Sequence, residues 1–576
     1  MNVYVNQFNT STDRNLLPLA AGLITSHAKK ELSNECNIQI KILRERPDKT
    51  AAEYESPDIL AFSCYIWNLR HSLEVARLAK LRYPNAVVVV GGPSIPRKPE
   101  TLERFFKKYP FVDIAAHGEG EHTFTEILKA KLSGGGYSSI AGITYREGES
   151  YRKTDPRERI KDLDALPSPY LDGTFDDLVK KHGELITGTI WETNRGCPFS
   201  CAFCDWGQAT QSKVNVYGID RLHSEIDWIA RNNIFYVYAA DANFGIKKRD
   251  IEIARYMGHK RRNVGAPGYF MINWMKNSHV RTIEIADILR DAGIGCQVTL
   301  SMQSFDEVTL EAIKRSNIDL DTFRSLKAEY NKRGIATYSE LLLGLPGETY
   351  ASFCAGVIRA LSPFPRDHFN IYLCRTLENA EMSEPDYRQK YGIETRWCEV
   401  AMARRTNDNV TVNEEEEIIV ATKSMPVEDW RRSFYFGYML NCLSNLRIAH
   451  VIINHVRLDL GLNARAFIEY IIENAYGPIK DMVDTLKGFQ DSILASQSSV
   501  MQVEGFGKRY WEPHEAAYLV ASRDPLMFHE NIERLTVEFT GNAALQQVFD
   551  EQRRESPILG GKGTEQTDYL KPKLDS

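Results

Sequence analysis

The chain has 576 residues, of which 43% are hydrophobic and 26% charged, with a formal net charge of −6. Such a length suits roughly three to four domains of about 150 residues each. The charge balance argues against a dedicated polyanion binder, which needs clustered Lys and Arg to neutralise phosphates, so nucleic acid is not an expected partner.

The N-terminal stretch MNVYVNQFNT has no basic segment followed by an apolar core, so no signal peptide is expected. Residues 1–150 alternate buried-strand runs (NVYVNQF, IQIKIL, DILAFSCYIW, AVVVVGG, VDIAAHG, GITYR) with helical stretches such as RHSLEVARLAKLRY. Continuous β-branched strands with helical crossovers predict an α/β, doubly wound, Rossmann-like parallel sheet. A charged linker over 151–184 contains a Pro-rich turn. A second βα series over 185–400 has six strand candidates: ELITGTIWETN, IFYVYAADANF, GYFMINWM, GCQVTLSMQS, ATYSELLLGLP and DHFNIYLCRT. This spacing predicts a partial (β/α)6 barrel with its site at the carboxyl ends of the strands. Residues 401–555 are expected to form a mainly helical domain, with the run Glu414–Glu417 opening a helix as a solvated face. Residues 556–576 read as a disordered tail. The longest apolar runs, AVVVVGG and IAHVIINHV, fall far short of a membrane span, so no membrane partner is expected. Ten scattered cysteines without an export signal point to a reducing cytoplasm.

One stretch departs from that scatter. NRGCPFSCAFCDWG, residues 194–207, places Cys197, Cys201 and Cys204 within eight positions, just after the first strand of the second series. An odd set does not make a disulfide framework. A zinc site wants a fourth ligand, and no Cys-x-x-Cys or His partner follows at a suitable distance. A [4Fe–4S] cluster takes four ligands, so three thiolates leave one iron open to a small molecule.

CPFSCAFC resembles the CxxxCxxC signature of the radical S-adenosylmethionine (SAM) superfamily, with Phe203 in its customary aromatic position. The resemblance implies that SAM chelates the open iron through its amino and carboxylate groups. One electron, from an external donor such as flavodoxin or ferredoxin, then cleaves it to methionine and a 5′-deoxyadenosyl radical. It further implies SAM contacts at later strand ends: Asp241 and Asn243 in AADANF, Ser301 and Gln303 in TLSMQS, and Glu340 in SELLLGLPGET. Gly344 and Gly347 there permit close backbone approach.

Doubly wound sheets bind ligands at their carboxyl edge. Three such edges carry small or polar residues: SCYIWN with Ser63, Tyr65 and Trp67, GGPSIP with Gly91 and Gly92, and HGEGEHTF with Gly118, Glu119 and Gly120. In this order they resemble the cobalamin-binding domain found upstream of many radical SAM barrels. The Asp-x-His-x-x-Gly motif that ligates cobalt from below does not occur, and His71 and His117 stand in other contexts. Cobalt without a lower nitrogen ligand is typical of the radical SAM methylase branch. Trp67, with Asp205–Gly207, is similar to carbapenem-pathway members in which an indole covers the lower face and excludes water.

The implied function is a cobalamin-dependent radical SAM methyltransferase. It would relay a methyl group from SAM through methylcobalamin to an unactivated carbon of a small-molecule or peptide substrate. A cyclase or rearrangement enzyme without methyl transfer is the alternative. A methylthiotransferase would show further cluster cysteines upstream and a basic tail, whereas Cys36 and Cys64 lie far apart; a non-catalytic sensor would not cleave SAM. The aromatics after residue 400 (WRRSFYFGYML, Trp511, Tyr518) read as core, and Arg431 and Arg432 as exposed. Cys296, Cys354, Cys374, Cys398 and Cys442 have no ligand spacing and read as packing residues.

Overall fold

The computed structural model describes residues 1–9, 15–33, 35–209, 213–275, 279–364, 366–400, 412–561 and 570. They fall into two compact units. The first is Met1–Val298 with Leu377–Ser383 and Asn409–Glu414; the second is Thr299–Thr376, Glu384–Asp408 and Glu415–Ser576.

The first unit opens with strands β1 (Asn2–Asn6), β2 (Asn15–Leu17), β3 (Asn37–Lys41), β4 (Ile59–Ser63), β5 (Val87–Gly91), β6 (Ile114–Ala116), β7 (Ile143–Glu147) and β8 (Ser150–Lys153). All but β2 form one sheet in the order β3-β1-β4-β5-β6-β7-β8. Its first five members are parallel, with helices Leu19–Leu32, Leu69–Arg82, Pro99–Lys108 and Gly120–Ser133 among the crossovers. Helices on both faces explain why β5 reads as an unbroken valine run. The strand order reverses between β1 and β4, which is where such sheets open a crevice. The sheet is not parallel throughout, because β7 and β8 run antiparallel. Only two residues separate the paired Glu147 and Ser150, which leaves no room for a crossover.

The same unit contains β9 (Ile186–Trp191), the short ladder of β10 (Asn194–Arg195) with β11 (Asn215–Val216), then β12 (Tyr236–Ala239) and β13 (Tyr269–Met271). A parallel sheet runs β13-β12-β9-β2. Its outer strand, β2, is too short to have shown a periodicity in the sequence.

In the second unit, β14 (Val298–Gln303), β15 (Thr337–Leu343) and β16 (Asp367–Leu373) form a three-stranded sheet in that order. Leu341, Leu343, Phe369 and Ile371 enter one continuous core with Trp430, Phe434, Phe467 and Phe528. Helices Val427–Leu440, Ala464–Glu473, Gly477–Leu494, Pro513–Ala521, Pro525–Thr540 and Gln546–Glu555 make the C-terminal part mainly helical, as expected. Pro557–Leu559 add a short helical turn, while 562–569 and 571–576 of the expected tail lie outside the described residues.

The glutamate run is a correction. Glu414–Ala421 is a strand, β19, in a sheet ordered β17 (Arg375–Thr376), β19, β18 (Glu394–Val400). Its carboxylates are paired rather than solvated. Within the first unit, Glu414 Oε1 accepts from Arg44 Nη2 at 2.9 Å, and its oxygens also take the Arg70 and His71 amides. It therefore caps the helix at Leu69–Arg82 from far along the chain, instead of opening one of its own. In the second unit, Glu416 accepts from Arg375 at 2.5 Å and Glu417 from Arg388 at 2.7 Å.

Candidate active site

The three cysteines lie in the loop that leaves β9, closed at its base by the β10–β11 ladder. Asp241, just past β12, is fully buried. Its Oδ1 accepts from the Thr193 and Asn194 amides at 2.6 and 3.1 Å; Oδ2 accepts from Asn194 Nδ2 at 2.8 Å and from the Thr193 hydroxyl. Burial pushes its pKa up to about 7 against the pull of those bonds. Both oxygens are taken up inside the protein, so Asp241 braces the loop. Of the pair offered by AADANF, Asn243 is the one with an atom to spare.

Further braces hold the loop's carbonyls. Arg249 donates to the Thr193 and Tyr217 carbonyls, and Arg159 to those of Lys213 and Arg195. Gly196 sits at φ +124, and a Cβ there would fall 1.8 Å from the Lys213 carbonyl oxygen. A Cβ on Gly207 would fall 1.7 Å from the Phe199 carbonyl oxygen, so this glycine is required by the loop's own closure.

Cys197 and Cys201 are buried, while Cys204 and Phe203 are half-buried. Asn243 Nδ2 donates to Cys197 Sγ at 3.3 Å, and Asn243 Oδ1 is buried without a partner. Among the described residues no three His, Cys, Asp or Glu side chains could hold one metal ion. A cubane sets its thiolates on separate irons, so it does not require convergence on a single ion. The donor set, the amide aimed at one thiol and the spare buried acceptor fit a [4Fe–4S] cluster with SAM.

At the sheet edge, Asn68 shapes the SCYIWN segment. Its Oδ1 accepts from the Tyr65 amide at 2.7 Å, while Nδ2 donates to the carbonyls of Phe8 and Ser63 at 3.0 and 3.1 Å. These bonds span the β1–β4 reversal. Tyr65 and Trp67 stack, with ring centroids 4.5 Å apart and planes 8° from parallel. Trp67 is 39% exposed, so it is no buried packing residue.

Gly92 (φ +106) lets the ends of β4 and β5 meet, since a Cβ would lie 2.5 Å from the Cys64 carbonyl oxygen. Beside it, Gly91 makes only ordinary contact with Ala116. Gly118 (φ +75) has nothing within 4 Å of where a Cβ would stand, and Gly120 opens the following helix. Gly118 leaves its edge open to a large ligand such as cobalamin, while Gly91, Gly92 and Gly120 meet the chain's own atoms. Glu119 does not face that space: its oxygens accept from the Ile160 amide at 2.6 Å and from Arg195 Nη1 at 3.2 Å.

His71 and His117 are inward-packed. His71 meets the ring of Phe8 edge-on at 4.8 Å, and burial lowers its pKa to about 3. His117 Nε2 lies 2.9 Å from the Thr144 hydroxyl, and burial lowers its pKa to about 4.

The sequence did not reveal what joins these two regions. Arg195, two residues before Cys197, forms ion pairs with Glu119, Glu121 and Glu192 at 3.2, 3.0 and 3.0 Å. Against the pull of burial, Glu121 and Glu192 hold its pKa well above the ordinary guanidinium value. Arg97 pairs with Asp205 beside Cys204, and its amide donates to Asn379 Oδ1. Asn379 Nδ2 donates to the Pro93 and Ile95 carbonyls, and the Met382 amide donates to the Ala202 carbonyl. Two of the three sheet edges are thus pinned to the cysteine loop within one unit.

The second unit carries the remaining candidates. Glu340 Oε2 accepts from Ser301 Oγ at 2.5 Å and from Gln303 Nε2 at 3.4 Å. Gln303 holds φ +63, a conformation that a non-glycine residue adopts only under constraint. Register pairs Glu340 with Asn370 and Leu342 with Tyr372, so alternation puts Asn370 and Tyr372 on the Glu340 face. Neither was picked out from the sequence. A Cβ on Gly344 or Gly347 would come within 3.1 Å of Ile419 or Thr309, so the backbone they admit is the chain's own.

Residues 30–128 match the B12 binding domain and residues 191–355 the Radical SAM superfamily. The class is therefore that of radical SAM enzymes carrying a B12 domain. The cobalamin-dependent radical SAM methyltransferase TokK of Streptomyces tokunonensis is 38% identical over 460 residues, 79% of this chain and 67% of that protein. The 2-(S-pantetheinyl)-carbapenam-3-carboxylate methyltransferase of Streptantibioticus cattleyicolor is 36% identical over 476 residues, 81% of this chain and 69% of that protein. This chain belongs to the family of cobalamin-dependent radical SAM methyltransferases, whose cofactors are a [4Fe–4S] cluster, SAM and cobalamin.

Among solved structures, TsrM from Kitasatospora setae with cobalamin and [4Fe-4S] cluster bound shares the fold at a TM-score of 0.55 and 15% identity, covering 76% of this chain and 90% of that one. OxsB with aqua-cobalamin and SAM bound gives 0.56 at 14% identity, covering 99% and 83%. Among the described residues no helix is long and apolar enough to cross a membrane.

Proposed function

We propose that this chain methylates an unactivated carbon of a small biosynthetic intermediate of the carbapenam type, the class for which one of its relatives is named. The observation that carries this reading is the pinning of two glycine-lined sheet edges to the cysteine loop by Arg195, Arg97 and Asn379. A methyl donor and a radical source must both reach one substrate carbon, and a fixed spacing between their cradles serves that need. When bound, the cluster and SAM supply the radical, and cobalamin supplies the methyl group.

The chain's own residues have these proposed roles. Cys197, Cys201 and Cys204 hold the cluster. In the first unit, Asn243 Oδ1 would accept a hydrogen bond from the SAM amino group, with Phe203 in the same loop region. In the second unit, Ser301, Gln303 and Glu340 form a polar set of their own. Ser63, Tyr65, Trp67, Gly91, Gly92, Gly118 and Gly120 would line the cobalamin side, where the Trp67 indole would exclude water. The functional division runs 1–150 for cobalamin, 185–400 for the radical reaction and 401–555 for the helical part, with 151–184 as linker. A flavodoxin or ferredoxin supplies the electron in a reducing cytoplasm, a reading that fits the scatter of the cysteines along the sequence.

The test is anaerobic reconstitution with hydroxocobalamin and incubation with trideuteromethyl-labelled SAM and a carbapenam thioether. Mass spectrometry should find one or more labelled methyl groups on carbon. Formation of 5′-deoxyadenosine with a ring-altered, unlabelled product would refute methyl transfer and favour the cyclase alternative.

A further inference from the structure

We infer that Asn243 is a positioning residue that sets the reduction potential of the cluster, through its side-chain N–H bond to the Cys197 sulfur. The inference rests on the reading that Cys197 is a cluster ligand. Asn243 Nδ2 lies 3.3 Å from Cys197 Sγ, a close approach for so large an acceptor. The two residues are 1% and 6% exposed, so water does not dilute the contact. A thiolate only accepts, so the amide must turn its NH2 toward sulfur, which leaves Oδ1 as the spare acceptor found without a partner. The two ends of one side chain are thereby committed to different tasks.

The physical consequence has a definite sign. Reduction adds one negative charge to the cluster, and part of it spreads onto the ligating sulfurs. A fixed N–H dipole pointing at one of those sulfurs favours the reduced state and raises the potential. Asp241, two residues earlier, is tied to Thr193 and Asn194, which anchors the segment carrying Asn243 to the start of the cysteine loop. The donor is thus held against the sulfur by the fold.

The experiment uses the full chain, anaerobically reconstituted, with iron counted, and follows the reduced cluster by electron paramagnetic resonance during a redox titration without SAM. Asn243→Leu removes the donor at similar volume, and Asn243→Asp replaces it with an acceptor. At the potential that reduces half of the parent clusters, the ratio of reduced to oxidised cluster should fall about tenfold in Asn243→Leu. That is a shift of about 59 mV to more negative potential for one electron. Asn243→Asp should shift further in the same direction. A variant with parental iron that titrates at the parental potential overturns the inference.

A second measurement needs no variant. Parent protein grown with ¹⁵N-asparagine should show a nitrogen hyperfine coupling on the reduced cluster in pulsed spectra, and its absence also overturns the inference. A parent that binds no cluster at all would instead defeat the underlying assignment of the cysteines.

Discussion

Arg195 Nη2 stands 3.0 Å from Glu121 Oε1, with 14% and 4% of the two side chains exposed. One partner lies just ahead of the cysteine motif and the other in the first turn of the helix that follows the HGEG edge. The sheet edge and the cysteine loop are therefore held by a nearly water-free ion pair, in which an error of position costs far more than it would on the surface.

Removing that cation should be severe. Arg195→Met leaves buried Glu121, with half-buried Glu119 and Glu192, without their common partner, a loss of about 3–5 kcal/mol by analogy with other broken buried pairs. The thermal midpoint should fall clearly, and surviving protein should make more 5′-deoxyadenosine per methylated product than the parent. An unchanged midpoint and an unchanged product ratio would show that the network is incidental.

The cysteine triad makes a simpler prediction. Each of Cys197→Ala, Cys201→Ala and Cys204→Ala should lose most of the iron, sulfide and charge-transfer absorption of the anaerobically reconstituted chain. SAM cleavage should vanish with them while the circular dichroism spectrum persists. Full iron retention in the triple variant would remove the assignment.

Trp67 tests the cobalamin side. Its 39% exposure means that Trp67→Ala should cost little folding stability, unlike the roughly 3–5 kcal/mol expected for a buried aromatic. Trp67→His offers cobalt a nitrogen, which should appear as superhyperfine splitting in the cob(II)alamin spectrum. Methylation should slow in both variants while 5′-deoxyadenosine formation survives. Parental methylation rates in both, with cobalamin bound, would make Trp67 irrelevant to the chemistry.

The buried histidines predict an acid limit. His71, with Arg44 and Glu414 close by, is lowered to about 3 by burial, and His117, with Lys153 and Arg97 as the charges acting on it, to about 4. Both folded values lie below the unfolded value near 6.5, so the unfolded chain takes up protons that the folded chain refuses. The stability they contribute is present above pH 6.5 and is lost as pH falls to about 4 for His117 and about 3 for His71, by at most about 1.4 kcal/mol per pH unit for each group. Urea midpoints at pH 7 and pH 5 should differ accordingly, with a smaller difference in His71→Leu. Equal pH dependence in parent and variant would discount His71.

What could be read directly from the sequence was local. Valine-rich runs such as β5 announce strands covered on both faces, and three cysteines in eight positions announce a cluster loop, because the backbone itself brings such residues together. What those residues imply about SAM and cobalamin rests on their resemblance to a known family rather than on spacing alone. What only the tertiary structure decided was the fate of the charges. Arg44 and Glu414 are 370 positions apart, and nothing near either one shows that a glutamate in a run of four will be buried on a strand capping a distant helix. Asp241 and Asn243 look interchangeable in AADANF, yet one is spent bracing Thr193 and Asn194 while the other reaches a cysteine. Glu119 likewise turns from the open edge to Arg195 and Ile160. A buried polar group is stable only where a partner meets it, and the partner's position is set by the packing of the whole unit rather than by adjacent residues.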